Sequence, residues 1–186
     1  MKSLLRTTTR HARAALTDKE VEQRSQAICN QIIHHPRYQH AQHIACYLAC
    51  KNEVNLNTVI QHAWQLQKEI YVPIVDQYNN SMHFHAYTEE TQLHKNRFGM
   101  LEPIITDNQW TPPKQLDLLL IPLIAFDVER NRIGQGAGFY DRYLNQHKTT
   151  PITTMGVAYE LQKIDAVPTD EWDVTLDLII TERSIY

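Results

Sequence analysis

The sequence predicts an α/β protein with three layers, α/β/α, in which helices cover both faces of a mostly parallel central sheet. Apolar, strand-like runs alternate along the chain with segments of helical periodicity. Hairpin signals between neighbouring strands are few, so most consecutive strands would be joined by crossovers and would run parallel. Segment 116–126, LDLLLIPLIAF, is the most apolar stretch and is typical of a central strand that is buried on both faces.

Two helices begin the predicted fold. Residues 2–16 have helical periodicity and carry arginines at i, i+4 and i+7, which places them on one face. Thr17 and Glu20 then form a capping-box pattern, which predicts the start of a second helix. Pro36 ends that helix because proline cannot continue it.

The next elements alternate between strand and helix. Segment 43–50, HIACYLAC, predicts a buried strand, and Asn55 is placed to cap a helix over residues 56–66. Segments 69–75, EIYVPIV, and 81–87, SMHFHAY, then predict two further strands.

The second half of the chain completes the sheet. Segment 98–104, FGMLEPI, is predicted to be a turn-rich connection that leads to the central strand. A helix is expected over 141–147, DRYLNQH, followed by strands at 152–159 and 176–181.

Composition narrows the class of protein. The chain has 186 residues, is 42% hydrophobic and 21% charged, and has no internal repeat or linker, so we expect one domain over residues 1–186. A formal net charge of -3 does not favour nucleic acid as a partner. No apolar run approaches the ~20 residues that cross a bilayer, and the N-terminus lacks the apolar region of a secretory signal. Three cysteines without Cys-x-x-Cys spacing indicate reducing cytoplasm, and we expect a monomer.

The segment 132–144, RIGQGAGFYDRYL, concentrates three of the five glycines of the chain within five residues. Glycine permits positive φ and lets a ligand approach the backbone, and N–H groups before a helix form an anion site. Arg132 would add a bidentate phosphate donor, and Asp141 could hold magnesium, which favours carboxylates together with phosphate oxygens. The alternative is a left-handed turn before a helix, for which one glycine would suffice. The spacing matches neither the Walker A nor the Rossmann pattern.

The larger segment around these glycines, FDVERNRIGQGAGFYDRYL, resembles the signature of the 5-formyltetrahydrofolate cyclo-ligase family, also called methenyltetrahydrofolate synthetases. Lys2 and Arg6 fit the Lys-x-x-x-Arg with which that family begins. Three further segments fit the family in order and spacing: NEVNLNTVI, FGMLEP and VPTDEWDVTLDLIITE. The resemblance runs along nearly the whole chain.

This resemblance implies a CoA-transferase-like (NagB/RpiA-like) architecture and a specific reaction. Family members use ATP and magnesium to convert 5-formyltetrahydrofolate into 5,10-methenyltetrahydrofolate. Transfer of the γ-phosphoryl group to the formyl oxygen makes that oxygen a leaving group, and N10 then closes the ring. Such a site chiefly positions two substrates and neutralises phosphate charge, so the expected partners are small molecules.

The resemblance also implies site residues. Arg132 and Tyr140 would act in catalysis, and Asp141 and Asp173 would hold magnesium. ATP would contact Lys2, Arg6, Arg132, Ile133, Gly134, Gln135, Gly136, Ala137, Gly138, Phe139 and Tyr140. The folate substrate would contact Arg6, Cys50, Glu53, Asn55, Gln135, Gly136, Ala137, Gly138 and Phe139.

Several of these residues have a structural alternative. Arg10 and Arg13 lie outside the family match and are interpreted as a solvated helix face. Asp173 could be one of several surface acids, and Glu53 could simply favour a helix N-terminus. Cys50 is interpreted as a small buried side chain rather than a reactive thiol.

The chain departs from the family pattern at three positions. Ala137 stands where lysine or glycine is common, and Phe139 where tyrosine is common. Asn55 replaces an acid, so it can donate and accept hydrogen bonds at a pterin edge but offers no charge. Tyr140 could alternatively be a core residue.

Two other functions stay open. A paralogue could activate a different formamide or carboxylate, which Asn55 and Ala137 motivate. A non-catalytic module could bind folate or nucleotide without turnover. The chain also has ten histidines, but His83 and His85 lack a third ligand at suggestive spacing, and we interpret the histidines as solvated.

Overall fold

Ten strands and five α-helices make up the described part of this computed structural model, which covers residues 1–76, 79, 81–105, 111–113 and 115–186. The helices are α1 (Lys2–Ala14), α2 (Asp18–His34), α3 (Pro36–His40), α4 (Asn57–Gln65) and α5 (Phe139–Gln146). The strands are β1 (His43–Ala45), β2 (Glu69–Asp76), β3 (Ser81–Ala86), β4 (Leu93–Lys95), β5 (Leu101–Pro103), β6 (Leu118–Pro122), β7 (Ala125–Phe126), β8 (Arg132–Ile133), β9 (Thr153–Val157) and β10 (Leu178–Ile180). No helix among these residues is long and apolar enough to span a membrane.

The central sheet has the strand order β10-β9-β6-β1-β2-β3. The first five strands pair in parallel, and β3 is added antiparallel to β2, with Tyr71 opposite Ala86. The prediction of a mostly parallel sheet is therefore confirmed. Two small hairpins, β4–β5 and β7–β8, lie outside that sheet and were not predicted.

Helices cover both faces of the sheet because β6 directs apolar side chains to each side. Leu118 and Leu120 pack into a core with residues of α2 and α4, whereas Leu119 and Ile121 pack with Tyr143 of α5. All four leucine and isoleucine side chains are fully buried, as expected for a strand between two layers. The third, smaller cluster joins α1 to the β7–β8 hairpin.

The predicted start of α2 is confirmed in atomic detail. The Thr17 hydroxyl accepts a hydrogen bond from the Glu20 backbone N–H at 3.3 Å, and the Glu20 carboxylate accepts one from the Thr17 N–H at 2.9 Å. Asn55 lies one position before the N-cap of α4, which is Leu56, so the predicted cap at Asn55 is wrong by one position. Its side-chain oxygen accepts from the N–H of Asn57, the first residue of α4, at 2.9 Å.

Several predicted elements end earlier than expected. The strand over 43–50 stops at Ala45, and the chain then turns through Lys51 and Asn52, both of which have left-handed φ values of 48° and 59°. The apolar run 116–126 is divided into β6 and β7, because the chain leaves the central sheet after Pro122 to form the β7–β8 hairpin.

The interpretation of the histidines as solvated is wrong for His85. His83 is exposed, but His85 is 9% exposed on the neighbouring part of the same strand. Burial lowers the pKa of His85 because the protein interior disfavours the charged imidazolium.

Candidate functional site

The glycine-rich loop, residues 134–138, connects β8 to α5 at the side of the central sheet. Gly136 and Gly138 have φ values of 110° and 70°, which L-residues with a side chain rarely adopt. Gly138 is the N-cap of α5, so the turn before the helix accounts for one glycine. Gly136 lies within the loop, where its missing side chain leaves the backbone open to close approach.

Helix α1 lies against this loop and holds it through arginines. Arg6 Nε donates to the Gly134 carbonyl at 2.9 Å, and Arg10 Nη2 donates to the Gln135 backbone carbonyl at 3.2 Å and to its side-chain oxygen at 2.8 Å. A Cβ atom on Gly136 would lie 3.5 Å from the Arg6 guanidinium carbon. The loop conformation therefore depends on α1 as well as on its own glycines.

A polar cavity opens between the glycine-rich loop, the start of α1 and the segment 170–173. Its lining residues are Lys2, Arg6, Arg132, Ile133, Gly134, Gly136, Gly138, Asp141, Asp170, Trp172 and Asp173. Three cations and three carboxylates thus face one space beside exposed backbone and the N-terminus of α5. This combination is suited to a phosphorylated ligand.

The charged groups of the polar cavity are paired with one another. Lys2 Nζ lies 2.6 Å from the Asp170 carboxylate and 2.5 Å from that of Asp173, and Arg132 Nη2 lies 2.7 Å from Asp141. Burial alone would raise the pKa of Asp173, but hydrogen bonds from Lys2 and from the backbone N–H of Asp170 lower it. Asp173 is therefore expected to be ionised at neutral pH.

Among the side chains that the structure describes, those lining the polar cavity could bind a metal ion only through carboxylate oxygens, because they include no histidine or cysteine. Within the described residues no group of three or more His, Cys, Asp and Glu side chains could hold a metal ion by itself. Magnesium is commonly held by one or two carboxylates together with substrate phosphate oxygens and water. Asp141 and Asp173, which both line the polar cavity, fit the carboxylate part of that ligand set.

Arg132 is more deeply embedded than the sequence suggested. Its side chain is 4% exposed, and besides Asp141 it donates to the backbone carbonyl of Val174. Burial lowers the pKa of Arg132, an effect opposed by Asp141. From β8, the Arg132 side chain therefore contacts both α5 and the segment after Asp173, and it also lines the polar cavity.

A second, mainly apolar cavity lies on the other side of the glycine-rich loop, against β2, β3 and the β4–β5 hairpin. Its lining residues are Tyr47, Leu48, Cys50, Lys51, Glu53, Pro73, Val75, Met82, Phe98, Met100, Leu101, Glu102, Pro122, Arg132, Gly134, Gln135, Ala137, Gly138, Phe139, Tyr140 and Asp141. Apolar walls with a few polar groups are typical of sites for flat organic ligands.

Glu53 is a buried, hydrogen-bonded carboxylate in the wall of the apolar cavity. Glu53 is 8% exposed. One of its carboxylate oxygens accepts a hydrogen bond from the Cys50 backbone N–H at 3.1 Å, and the other accepts one from the Gln135 side-chain amide at 3.1 Å. Arg13 Nη2 lies 3.9 Å from Glu53 Oε1. The interpretation of Arg13 as a solvated residue is wrong, because it is 4% exposed and points into the protein.

Neither Cys50 nor Tyr140 is set up to lose a proton near neutral pH. Burial, and then the neighbouring Glu53, raises the pKa of Cys50 to about 11. Burial also raises the pKa of Tyr140, again with a contribution from Glu53. Both groups are expected to act through shape and hydrogen bonding.

The two cavities share Arg132, Gly134, Gly138 and Asp141. The structure thus places most of the site residues expected from the sequence around one junction. The polar cavity has Lys2, Arg6, Ile133, Gly136 and Asp173, and the apolar cavity has Cys50, Glu53, Gln135, Ala137, Phe139 and Tyr140.

Asn55 is not among the residues that line either cavity, and its side-chain oxygen accepts from the backbone N–H of Asn57. Asp170 and Trp172 were not singled out from the sequence, although both belong to the polar cavity. Their position within the family-like segment 167–182 was the available signal. Phe98, Met100 and Leu101 of the apolar cavity likewise come from the quoted segment FGMLEP.

Comparisons with known proteins agree with the resemblance in sequence. The model of the 5-formyltetrahydrofolate cyclo-ligase family matches residues 1–182. A Haemophilus influenzae protein named 5-formyltetrahydrofolate cyclo-ligase is 33% identical over 178 residues, 95% of each chain. The solved structure of Aquifex aeolicus 5,10-methenyltetrahydrofolate synthetase aligns with a TM-score of 0.83 at 29% identity, covering 99% of this chain and 91% of that one. The Mycoplasma pneumoniae synthetase aligns with a TM-score of 0.78 at 29% identity, covering 98% and 99%.

Proposed function

Since the chain belongs to the 5-formyltetrahydrofolate cyclo-ligase family, we propose that it converts 5-formyltetrahydrofolate and ATP into 5,10-methenyltetrahydrofolate, ADP and phosphate. The observation that carries this proposal is the junction between the two cavities at the glycine-rich loop. A phosphoryl donor in the polar cavity and a formyl acceptor in the apolar cavity would meet at Arg132, Gly134, Gly138 and Asp141.

The polar cavity would bind the ATP phosphates. Lys2, Arg6 and Arg132 provide positive charge, while the backbone around Gly136 allows close approach. Lys2 and Arg132 pair with carboxylates and Arg6 with the Gly134 carbonyl, so binding would exchange these contacts for phosphate contacts. Asp141 and Asp173 would hold Mg²⁺, which supplies additional neutralisation of the phosphate charge.

The apolar cavity would bind the folate. The Glu53 carboxylate is an acceptor fixed in its wall and is suited to the N–H groups along a pterin edge. Phe139 and Tyr140 would pack against the ring system, and Gln135 and Ala137 would lie near the reacting formyl group. Asn55 is left out of this assignment because it lines neither cavity.

The chemistry needs positioning more than it needs a protein nucleophile. The formyl oxygen attacks the γ-phosphorus and ADP leaves. N10 then forms a bond to the activated carbon, the carbon–oxygen bond breaks with release of phosphate, and N10 loses its proton. Arg132 and Tyr140 are the proposed catalytic residues, Arg132 through the transferred phosphoryl group and Tyr140 through the orientation of the folate.

The decisive experiment follows the methenyltetrahydrofolate absorbance after addition of 5-formyltetrahydrofolate. We expect this absorbance to increase only when ATP and magnesium are both present, and to increase more slowly with the Asp173→Asn variant. Folded protein that hydrolyses ATP only with another formamide or carboxylate would support the paralogue. Protein that binds both ligands without turnover would support the non-catalytic module, and either result would contradict the proposal.

We further propose that residues 1–186 form one catalytic domain that acts as a monomer in a reducing cytoplasm. The glycine-rich loop depends on α1, and Lys2 contacts the segment near Asp173, so distant parts of the chain build one site. Light scattering at assay concentrations would test the oligomeric state, since a stable dimer would contradict this part of the proposal.

A further inference from the structure

We propose that Arg13 and Arg10 are positioning residues for the folate, which they reach through Glu53 and Gln135. This inference rests on the proposed function and adds residues that neither cavity contains. Arg13 is buried instead of solvated, whereas Arg10 is exposed and reaches the glycine-rich loop through Gln135.

Arg13 places a cation next to the Glu53 carboxylate inside the protein. Arg13 and Glu53 are 4% and 8% exposed, and Nη2 and Oε1 lie 3.9 Å apart. A buried charge is costly unless it has a partner of opposite sign. The burial of the Arg13 charge is therefore explained by its partner Glu53. Glu53 lines the apolar cavity, whereas Arg13 does not.

Arg10 fixes the second contact of Glu53. Its Nη2 donates to the side-chain oxygen of Gln135 at 2.8 Å, and the Gln135 amide nitrogen then donates to Glu53 Oε1 at 3.1 Å. If the amide were reversed, its NH₂ group would face the guanidinium, so two donors would oppose each other. Arg10 thus selects the amide orientation that supports the carboxylate.

The Glu53 carboxylate is held from three directions. Helix α1 provides Arg13, the glycine-rich loop provides Gln135, and the turn after β1 provides the Cys50 backbone N–H. A carboxylate held in this way has little freedom to lose when a ligand binds. Loss of the arginines should therefore weaken folate binding more than nucleotide binding.

The test compares Arg13→Met with Arg13→Lys, Arg10→Met and Glu53→Gln. We expect Arg13→Met to raise KM for 5-formyltetrahydrofolate about tenfold or more, with KM for ATP changed less than about twofold. Lysine should recover part of the loss because it restores the charge without the planar guanidinium. Arg10→Met should have a smaller effect in the same direction.

The double variant Arg13→Met/Glu53→Gln shows whether Arg13 acts through Glu53. Residues that act as a unit are non-additive, so the double variant should bind folate no more weakly than Glu53→Gln alone. The matched control is Arg24→Met, because Arg24 pairs with Glu182 at 2.7 Å and lines neither cavity. Its two KM values should equal those of the wild type.

Three outcomes would overturn the inference: unchanged KM for folate in Arg13→Met, an equal rise of both KM values, or multiplying effects in the double variant. Arg13→Lys and Arg10→Met keep it testable if Arg13→Met fails to fold. Equilibrium binding of 5-formyltetrahydrofolate separates this inference from the proposed function. Absence of turnover in the wild type would defeat the reaction, whereas equal folate affinity of wild type and Arg13→Met would defeat the positioning role.

Discussion

Replacement of Arg132 by methionine would remove a buried guanidinium and keep much of the volume of the side chain. The lost contacts are the charge-assisted hydrogen bond to Asp141 at 2.7 Å and the hydrogen bond to the Val174 carbonyl. Such bonds contribute about 1.5–3 and about 1 kcal/mol, respectively. Because the Asp141 side chain is 25% exposed, water would replace part of its lost partner, and we expect the free energy of unfolding to fall by about 2–3 kcal/mol.

A loss of that size would leave a domain of this length folded but measurably weaker. At about 2–4 °C per kcal/mol for chains of this size, Tm should fall by about 4–12 °C. Independently, loss of a fixed positive group at the phosphates should lower kcat/KM for ATP by about 10². Urea unfolding and initial rates at varied ATP measure the two effects separately.

Asp141→Asn, alone and combined with Arg132→Met, identifies the source of the stability loss. Arg132→Met leaves the Asp141 carboxylate without its partner, so neutralising that carboxylate should recover at least about 1 kcal/mol. A urea midpoint for Arg132→Met equal to that of the wild type would contradict the expected loss of stability. A double variant whose loss in free energy of unfolding equals the sum of the two single losses would contradict coupling between Arg132 and Asp141.

Three further changes test other parts of the molecule. Gly136→Ala should strain a residue with φ of 110° by about 1–3 kcal/mol and weaken ADP binding, measured by calorimetry; unchanged affinity would contradict close phosphate approach. Gly156→Ala would place a Cβ 2.8 Å from a buried leucine side chain, so we expect a loss of about 1–3 kcal/mol in urea unfolding with normal ADP affinity, and an ADP defect would show that the site is less local than described. Burial alone would raise the pKa of Glu160, but hydrogen bonds from Tyr186 and Lys163 lower it below 4.5. Its contribution is present above that value and is lost as pH falls through the lower folded-state pKa, so Glu160→Gln should reduce the acid dependence of Tm, and an unchanged profile would contradict this role.

The sequence predicted the fold well where local chemistry determines the structure. The capping box at Thr17 and Glu20 depends on residues three apart, and the apolar run that contains β6 needs burial on both faces. The predictions were weaker where contacts between residues far apart in the sequence determine the structure. Ladder pairing places β3 antiparallel at the edge of the sheet, and the β7–β8 hairpin interrupts a run that is apolar throughout.

The same distinction applies to the site. The glycine-rich loop has a local signal, since Gly136 and Gly138 both adopt positive φ. Arg13 has none of its own, because an arginine on an N-terminal helix is ordinarily solvated and its partner lies 40 positions away in the sequence, at Glu53. The i, i+7 spacing showed that Arg6 and Arg13 share a helix face, but only the packing of α1 showed that Arg13 is buried. The resemblance to the cyclo-ligase family is confirmed, whereas the roles assigned to single residues stay predictions.

The junction of the two cavities also has a consequence for inhibitor design. Because Arg132, Gly134, Gly138 and Asp141 face both spaces, a phosphate mimic and a pterin mimic could be joined by a linker of a few atoms. Linking two ligands raises the effective concentration of the second without any new contact. Proteins that bind only nucleotides would contact the phosphate mimic but not the pterin mimic. The linked molecule would therefore bind more tightly to a protein in which the two cavities adjoin.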